Sequence, residues 1–208
     1  MQTKGVLVVV SGFSGAGKGT VMKALLDKYD NYALSVSATT RSPRPGEENG
    51  REYFFLTESQ FEDMIRNDEL IEHARYVDHY YGTPKKYVEE KMAAGKDVIL
   101  EIEIQGALNI KKKFPDALLV FIVPPTAEDL KKRLIGRGTE SAEVIEKRLR
   151  RAAEESDGMN SYDYIVVNDE VDTCVEDLHS LIRSSHFKES ANTDLVARMK
   201  QELHDMTK

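Results

Sequence analysis

Lys18 follows a run of small residues, Gly12, Phe13, Ser14, Gly15, Ala16 and Gly17, and precedes Gly19 and Thr20. A lysine in that place carries a mobile full charge suited to the outer phosphates of a nucleotide. The glycines let backbone N–H groups turn toward one centre, and a helix start adds partial positive charge there. Such a loop needs a strand before it and a helix after it. Residues 6–10 are apolar and β-branched, as in a buried strand, and residues 21–28 carry apolar side chains at helical spacing. The context predicts a nucleoside triphosphate site. One slot departs from the usual pattern. Gly19 stands directly after the lysine, where Ser or Thr would contact magnesium, and Thr20 comes one residue later. A plain glycine turn is the competing reading.

A second cluster runs from Ser35 to Glu47. Arg41 and Arg44 flank Pro43, whose fixed φ stiffens the loop. Two guanidinium forks on a stiff loop suit a phosphate dianion. A solvated basic loop would carry the same residues.

The elements that must hold these groups can be read from the same chain. Its 208 residues, 40% hydrophobic and 31% charged, suffice for one sizeable core with inserted subdomains. A net charge of −7 argues against a general nucleic-acid binder. One cysteine, Cys174, excludes an internal disulfide and a Cys-based zinc site, and suits a reducing, cytoplasmic setting. No stretch reaches the roughly 18 apolar residues of a membrane span. The histidines lack metal-ligand spacing; His73 and His79 read as surface or base-neighbour residues.

Apolar runs at residues 6–10, 33–36, 98–104 and 118–123 predict buried strands, with a fifth strand at 164–167. Helical patterns at 21–28, 87–94, 107–112, 127–135 and 142–155 lie between them. That alternation predicts an α/β fold, a parallel sheet with helices on both faces. Residues 37–92 break the rhythm with Arg, Pro, Gly and Tyr, a short aromatic strand at 53–56 and a helix at 58–67. They read as an inserted substrate module. Residues 126–158 are dense in Arg and Lys and read as a mobile lid. The polar tail has one weakly amphipathic stretch at 195–203.

The chain resembles guanylate kinase, a nucleoside monophosphate kinase family, over almost all of residues 4–184. The phosphate loop carries the resemblance together with Ser37-Ala-Thr-Thr-Arg41, Pro43-Arg-Pro-Gly-Glu47, Asn49-Gly-Arg-Glu-Tyr53 and Tyr80-Tyr-Gly-Thr83. Further on come Leu100-Glu-Ile-Glu-Ile-Gln-Gly106, Ile135-Gly-Arg-Gly-Thr139 and Ile165-Val-Val-Asn-Asp169. The resemblance implies a P-loop kinase core (1–36, 93–125 and 159–190), an α+β GMP-binding module (37–92), a helical lid (126–158) and a C-terminal tail (191–208). It implies transfer of the γ-phosphoryl group of ATP to GMP with Mg2+; a monomer or homodimer is expected, and charge and hydropathy give no nucleic-acid or membrane partner.

Residue by residue, the resemblance puts ATP on the loop from Gly12 to Thr20, with Arg137 on the lid and Asn168 near the adenine. It puts the GMP phosphate on Arg41, Arg44, Tyr53 and Tyr81, and the guanine on Glu72, Ser37 and Thr83. Guanine offers donors at N1 and N2, and an ionised carboxylate is an acceptor-only fork. A solvated helix-end carboxylate is the other reading of Glu72. Lys18, Arg41, Arg133, Arg137 and Arg148 would neutralise charge during transfer. Lys131, Lys132, Lys147, Arg150 and Arg151 read mostly as a solvated face. Glu101 and Glu103, at alternate positions of a strand, are expected on one face. Glu103 would stand near the guanine edge. Glu101 would organise Mg2+ or its waters together with Thr20, without direct ligation by the chain. An ion pair of these carboxylates with Lys18 or Arg41 is the alternative. Two other functions stay open at this level: a phosphopeptide-binding module on the same fold, which the intact Lys18 and lid arginines oppose, and a kinase for another phosphorylated small molecule.

Overall fold

The structure, a computed structural model, describes residues 4–76, 78–136 and 141–208. Along the chain the strands are β1 (Leu7–Gly12), β2 (Tyr32–Leu34), β3 (Ser37–Thr39), β4 (Tyr53–Phe55), β5 (Leu70–Tyr76), β6 (His79–Pro84), β7 (Asp97–Glu101), β8 (Leu118–Val123) and β9 (Tyr164–Val167). The helices are α1 (Lys18–Lys28), α2 (Glu58–Arg66), α3 (Lys85–Ala93), α4 (Ile104–Lys113), α5 (Ala127–Gly136), α6 (Ala142–Ser156), α7 (Val171–Ser185) and α8 (Thr193–Met206).

The unbroken apolar runs pair with one another. They form a sheet of order β2-β7-β1-β8-β9 in which every neighbouring pair is parallel. Such strands lack polar alternation because helices cover both faces. On one face Val8, Val10, Ile99 and Val120 pack with Val21 and Leu25 of α1 and Cys174, Val175 and Leu178 of α7. On the other, Val9, Val98, Leu100 and Leu119 pack with Val88 of α3 and Ala107 and Ile110 of α4. Adjacent residues of one strand therefore serve opposite cores.

Residues between β2 and α3 form a second sheet of order β4-β3-β6-β5, antiparallel except for the β3–β4 pair. It has its own small core, Ala38, Phe61 and Leu70. Phe61 is held there by α2, whose start is fixed by a capping box between Thr57 and Gln60.

Several elements differ from the sequence reading. The strand expected at 98–104 stops at Glu101. The Ser11 hydroxyl donates to the Ile102 carbonyl at 2.6 Å, Glu103 takes the N-cap position, and α4 begins at once. Glu101 and Glu103 thus lie on different elements rather than on one strand face. The run at 33–36 yields only the last part of β2, because the chain crosses to the second sheet after Ser35. The hairpin of β5 and β6 and the helix α7 are additional elements. The strand expected at 164–167 is present as β9, but at a sheet edge, with Val166 buried and Tyr164, Ile165 and Val167 exposed. The tail forms α8, which has no buried residue. Among the described residues no helix is long and apolar enough to cross a membrane.

At the start of β7, Asp97 is 2% exposed and ties three segments together. It accepts from the Val6 N–H at 2.8 Å and from Asn31 at 3.2 Å, and lies 2.9 Å from His186 just after α7. Asp97→Ala strands a backbone donor and removes a charge-assisted acceptor. We expect a loss of about 3 kcal/mol in urea unfolding; an unchanged midpoint would show that Asp97 is no anchor.

Candidate active site

The carboxyl ends of the parallel strands are where an open α/β sheet presents its ligand site. β1 runs there into the glycine loop. Gly17 is the N-cap of α1, with φ 89° in the left-handed region, and a Cβ on it would stand 2.5 Å from Asn168 Nδ2. Only glycine meets both demands without strain. Phe13 turns into the core, with its ring edge-on to Phe121 at 5.1 Å, and Ala16 is buried. These two residues offer the loop their backbone, not their side chains. Lys18 Nζ donates to the carbonyls of Gly12, at 2.7 Å, and Phe13, at 3.3 Å.

A cleft of about 400 Å³ opens over this loop, lined by Ser14, Gly15, Lys18, Gly19, Thr20 and Glu101. Burial raises the pKa of Glu101, and the Lys18 charge partly opposes that shift. Among the described residues no group of three or more His, Cys, Asp or Glu converges on a point. Besides the Ser14 hydroxyl, the cleft offers the Thr20 hydroxyl and one carboxylate, Glu101. This hard-oxygen pair suits Mg2+ bound chiefly through phosphate oxygens and water.

A second recess of about 270 Å³ adjoins the loop, lined by Gly17, Thr20, Arg133, Asn168, Asp169 and Val171. Asn168 is buried and its Nδ2 donates to Ala16 O at 2.8 Å. Arg133 on α5 donates to Asn168 O at 2.8 Å and Ala16 O at 3.4 Å. Arg148 on α6 reaches the Ser14 hydroxyl at 3.1 Å. Two of the three arginines expected on the lid therefore meet the glycine loop, and Arg137 lies outside the described residues. Arg151, one of five residues read mostly as a solvated face, is engaged instead. It binds Glu155 at 2.6 Å and crosses to Glu103 at 3.0 Å. Partial desolvation by the surrounding protein raises the pKa of Glu103, with Glu155 adding to it, although the side chain keeps 64% of its surface in water.

The second sheet carries the other candidates, and its Tyr53 lies near enough to Glu101 of the cleft to feel that charge. Arg41 forms a fork with Glu47, at 2.9 and 3.0 Å, and Glu47 also accepts from the Arg44 N–H at 2.7 Å. The hydrogen bond from Arg41 holds the Glu47 carboxyl below its ordinary range. Glu47 lies within the Pro-Gly-Glu motif, but nothing in the spacing indicated that it would hold the Arg41 guanidinium and the Arg44 backbone together. The Arg41 guanidinium stands 5.3 Å from the Tyr53 ring centre, and the Tyr53 and Tyr81 rings lie 6.1 Å apart. With Arg41 engaged by Glu47 and the Lys18 amine bonded to carbonyls, the ion pairs weighed for Glu101 and Glu103 are not the arrangement found.

Tyr81 and Thr83 lie two residues apart on β6 and so share a face, about 7 Å apart along the strand. The register sets Glu72 of β5 opposite Thr83 and Ala38 opposite Gly82, which brings Ser37, Thr83 and Glu72 to one end of the sheet. Glu72 is on a strand, not a helix end, and is 4% exposed. The Thr83 hydroxyl donates to its Oε1 at 2.9 Å. Burial pushes the carboxyl up to about 7, against the opposing pull of Thr83 and of the Lys113 charge.

That shift links Glu72 to stability. The folded carboxyl titrates near 7 and the unfolded one near 4.5. Between those values the folded chain holds the extra proton, so stability falls as pH rises through the window and levels off above it. The loss attributable to Glu72 is about 3 kcal/mol. Unfolding of the ligand-free protein against Glu72→Gln should show this difference growing from pH 4.5 to pH 7.5; parallel curves would place Glu72 in water.

Comparison with known proteins agrees with this geometry. A family model described as guanylate kinase matches residues 4–185. A guanylate kinase of Lactococcus lactis is 50% identical over 188 residues, 90% of this chain and 92% of the relative. One of Caldanaerobacter subterraneus is 47% identical over 202 residues, 97% and 98% of the two chains. The crystal structure of guanylate kinase from Anaplasma phagocytophilum superposes with a TM-score of 0.73 at 31% identity, covering 90% of this chain and 89% of that one. The chain belongs to the guanylate kinase family.

Proposed function

We propose that this chain transfers the γ-phosphoryl group of ATP to GMP, giving ADP and GDP. The observation that carries the reading is a pair of unlike sites joined by the short segment from Glu101, which lines the cleft over the glycine loop, to Gly106, which meets Glu72. A glycine loop with Lys18 lies at one end, and a buried carboxyl, Glu72, lies with Thr83 at the other. The first suits a triphosphate. The second suits a base with adjacent N–H donors, which guanine has and adenine lacks at N1.

The chemistry asks for positioning and charge neutralisation more than for a strong base. A phosphate monoester is already an anionic nucleophile near neutral pH, and the barrier lies in bringing two anions together. In this proposal the loop amides from Gly12 to Thr20 and Lys18 hold the β- and γ-phosphates of ATP, and Asn168 borders the adenine. Arg41, Arg44, Tyr53 and Tyr81 hold the GMP phosphate. Ser37, Glu72 and Thr83 read the guanine, and Glu103 borders it. Arg133, Arg137 and Arg148 neutralise charge on the phosphoryl group in flight. Thr20 and Glu101 would position Mg2+ through water; when bound, Mg2+ would neutralise phosphate charge. Residues 37–92 act as the GMP module and 126–158 as the lid on the remaining core. A cytoplasmic setting suits the unpaired, buried Cys174, and we expect a monomer or homodimer.

The test is a coupled assay of ADP formation from ATP with GMP, AMP and UMP. GMP should be preferred, and Glu72→Gln should lower the ratio of kcat/KM for GMP over AMP by about two orders of magnitude. The KM for ATP should stay within about twofold. A folded variant with an unaltered ratio would take Glu72 out of base reading, and no turnover with GMP in the native chain would remove the function.

A further inference from the structure

Gly106 is a glycine where the backbone does not ask for one. It is the third residue of α4, buried, and its φ is not left-handed. Alanine is the better helix former at such a position. What the site excludes is a side chain. A Cβ on Gly106 would stand 3.0 Å from Glu72 Oε2, 3.5 Å from Glu72 Cδ and 3.2 Å from Ile102 Cδ1.

We infer that Gly106 is a specificity-determining residue, acting through Glu72: its missing side chain leaves Oε2 in place to accept from the base. This rests on the reading of Glu72 as the group that contacts guanine. The two carboxyl oxygens have different neighbours. Oε1 accepts from the Thr83 hydroxyl at 2.9 Å. Oε2 is the oxygen that faces Gly106, and it is the one left for an incoming N–H. A methyl group at 106 would displace it and shield it from the donor.

The helix cannot readily yield in place of the carboxyl. At its start Ile104 packs so closely on Gly158 that a Cβ there would meet Ile104 side-chain atoms at 3.0 and 3.2 Å. At its end Lys113 Nζ donates to the Ile71 carbonyl of β5 at 3.2 Å. α4 is thus fixed to the strand that carries Glu72. The displacement falls on Glu72, whose Oε1 is already committed to Thr83, so the carboxyl plane turns.

The experiment compares Gly106→Ala in the native chain and in Glu72→Gln, with kcat and KM measured for GMP and for ATP. Gly106→Ala should lower kcat/KM for GMP about tenfold, mainly through KM for GMP, with KM for ATP within twofold and the thermal midpoint unchanged or raised. In the Glu72→Gln background the same substitution should change GMP kinetics by less than twofold. Ile102→Val removes the other atom in the way, so Gly106→Ala/Ile102→Val isolates the contact with Glu72 and guards against a folding failure. It should keep the tenfold loss. Native GMP kinetics in Gly106→Ala, recovery in the Ile102→Val double variant, or an equal loss in both backgrounds would each overturn the inference. If Glu72→Gln alone leaves the GMP over AMP ratio unaltered, the base reading fails and this inference with it. If Glu72→Gln is impaired while Gly106→Ala is silent, only the role of Gly106 falls.

Discussion

Glu72 is a carboxyl group kept out of water, and much of the second sheet follows from that constraint. A buried carboxylate is costly unless hydrogen bonds or charge compensate it. Here Thr83 supplies a hydroxyl at 2.9 Å, and the Lys113 charge on α4 draws the pKa part of the way down. The remaining imbalance pushes the carboxyl up to about 7. A site left short of donors favours a ligand that brings two of them on one edge. Keeping such a site dry needs a packed wall, which α4 and the small core around Phe61 and Leu70 provide.

Around the glycine loop and Arg41 the problem is the opposite one, an excess of cations that must be held apart. Internal acceptors hold them. Carbonyls of the loop take Lys18 and Arg133, the Ser14 hydroxyl takes Arg148, and Glu47 takes Arg41 in a fork while also holding the Arg44 backbone. An arginine fixed in this way loses less conformational freedom when a phosphate binds. The Arg151 to Glu103 contact joins α6 to the start of α4, the helix that carries Gly106. Helix α6 is thus tied to the start of α4 through Arg151 and to the glycine loop through Arg148.

The sequence revealed the core sheet because β1 and β8 are apolar without alternation, a pattern that requires cover on both faces. The glycine loop was legible for the same reason, by its place between such a strand and a helix. The end of β7 was not, since a tertiary bond from Ser11 to Ile102 decides it and the residues themselves, Glu-Ile-Glu-Ile, alternate like a strand. The β5–β6 hairpin escaped because Glu72 and Thr83 put polar side chains at buried positions, which breaks the apolar alternation of a strand. By contrast α7 carries Val171, Cys174, Val175, Leu178 and Ile182 at helical spacing and could have been found. Side-chain partners were the least legible feature. Arg41 with Glu47 and Arg151 with Glu103 are contacts that spacing alone does not distinguish from solvated charges.

The central claim is that a largely protonated Glu72 must ionise to receive guanine. Titration calorimetry of GMP at pH 6, in two buffers of different ionisation enthalpy, counts the protons released on binding. The GMP phosphate and other linked groups contribute similarly in the native chain and in Glu72→Gln, so the difference between them isolates the carboxyl. The account predicts that the native chain releases about one proton more per GMP than the variant. Equal release, or net uptake by the native chain relative to Glu72→Gln, would contradict it.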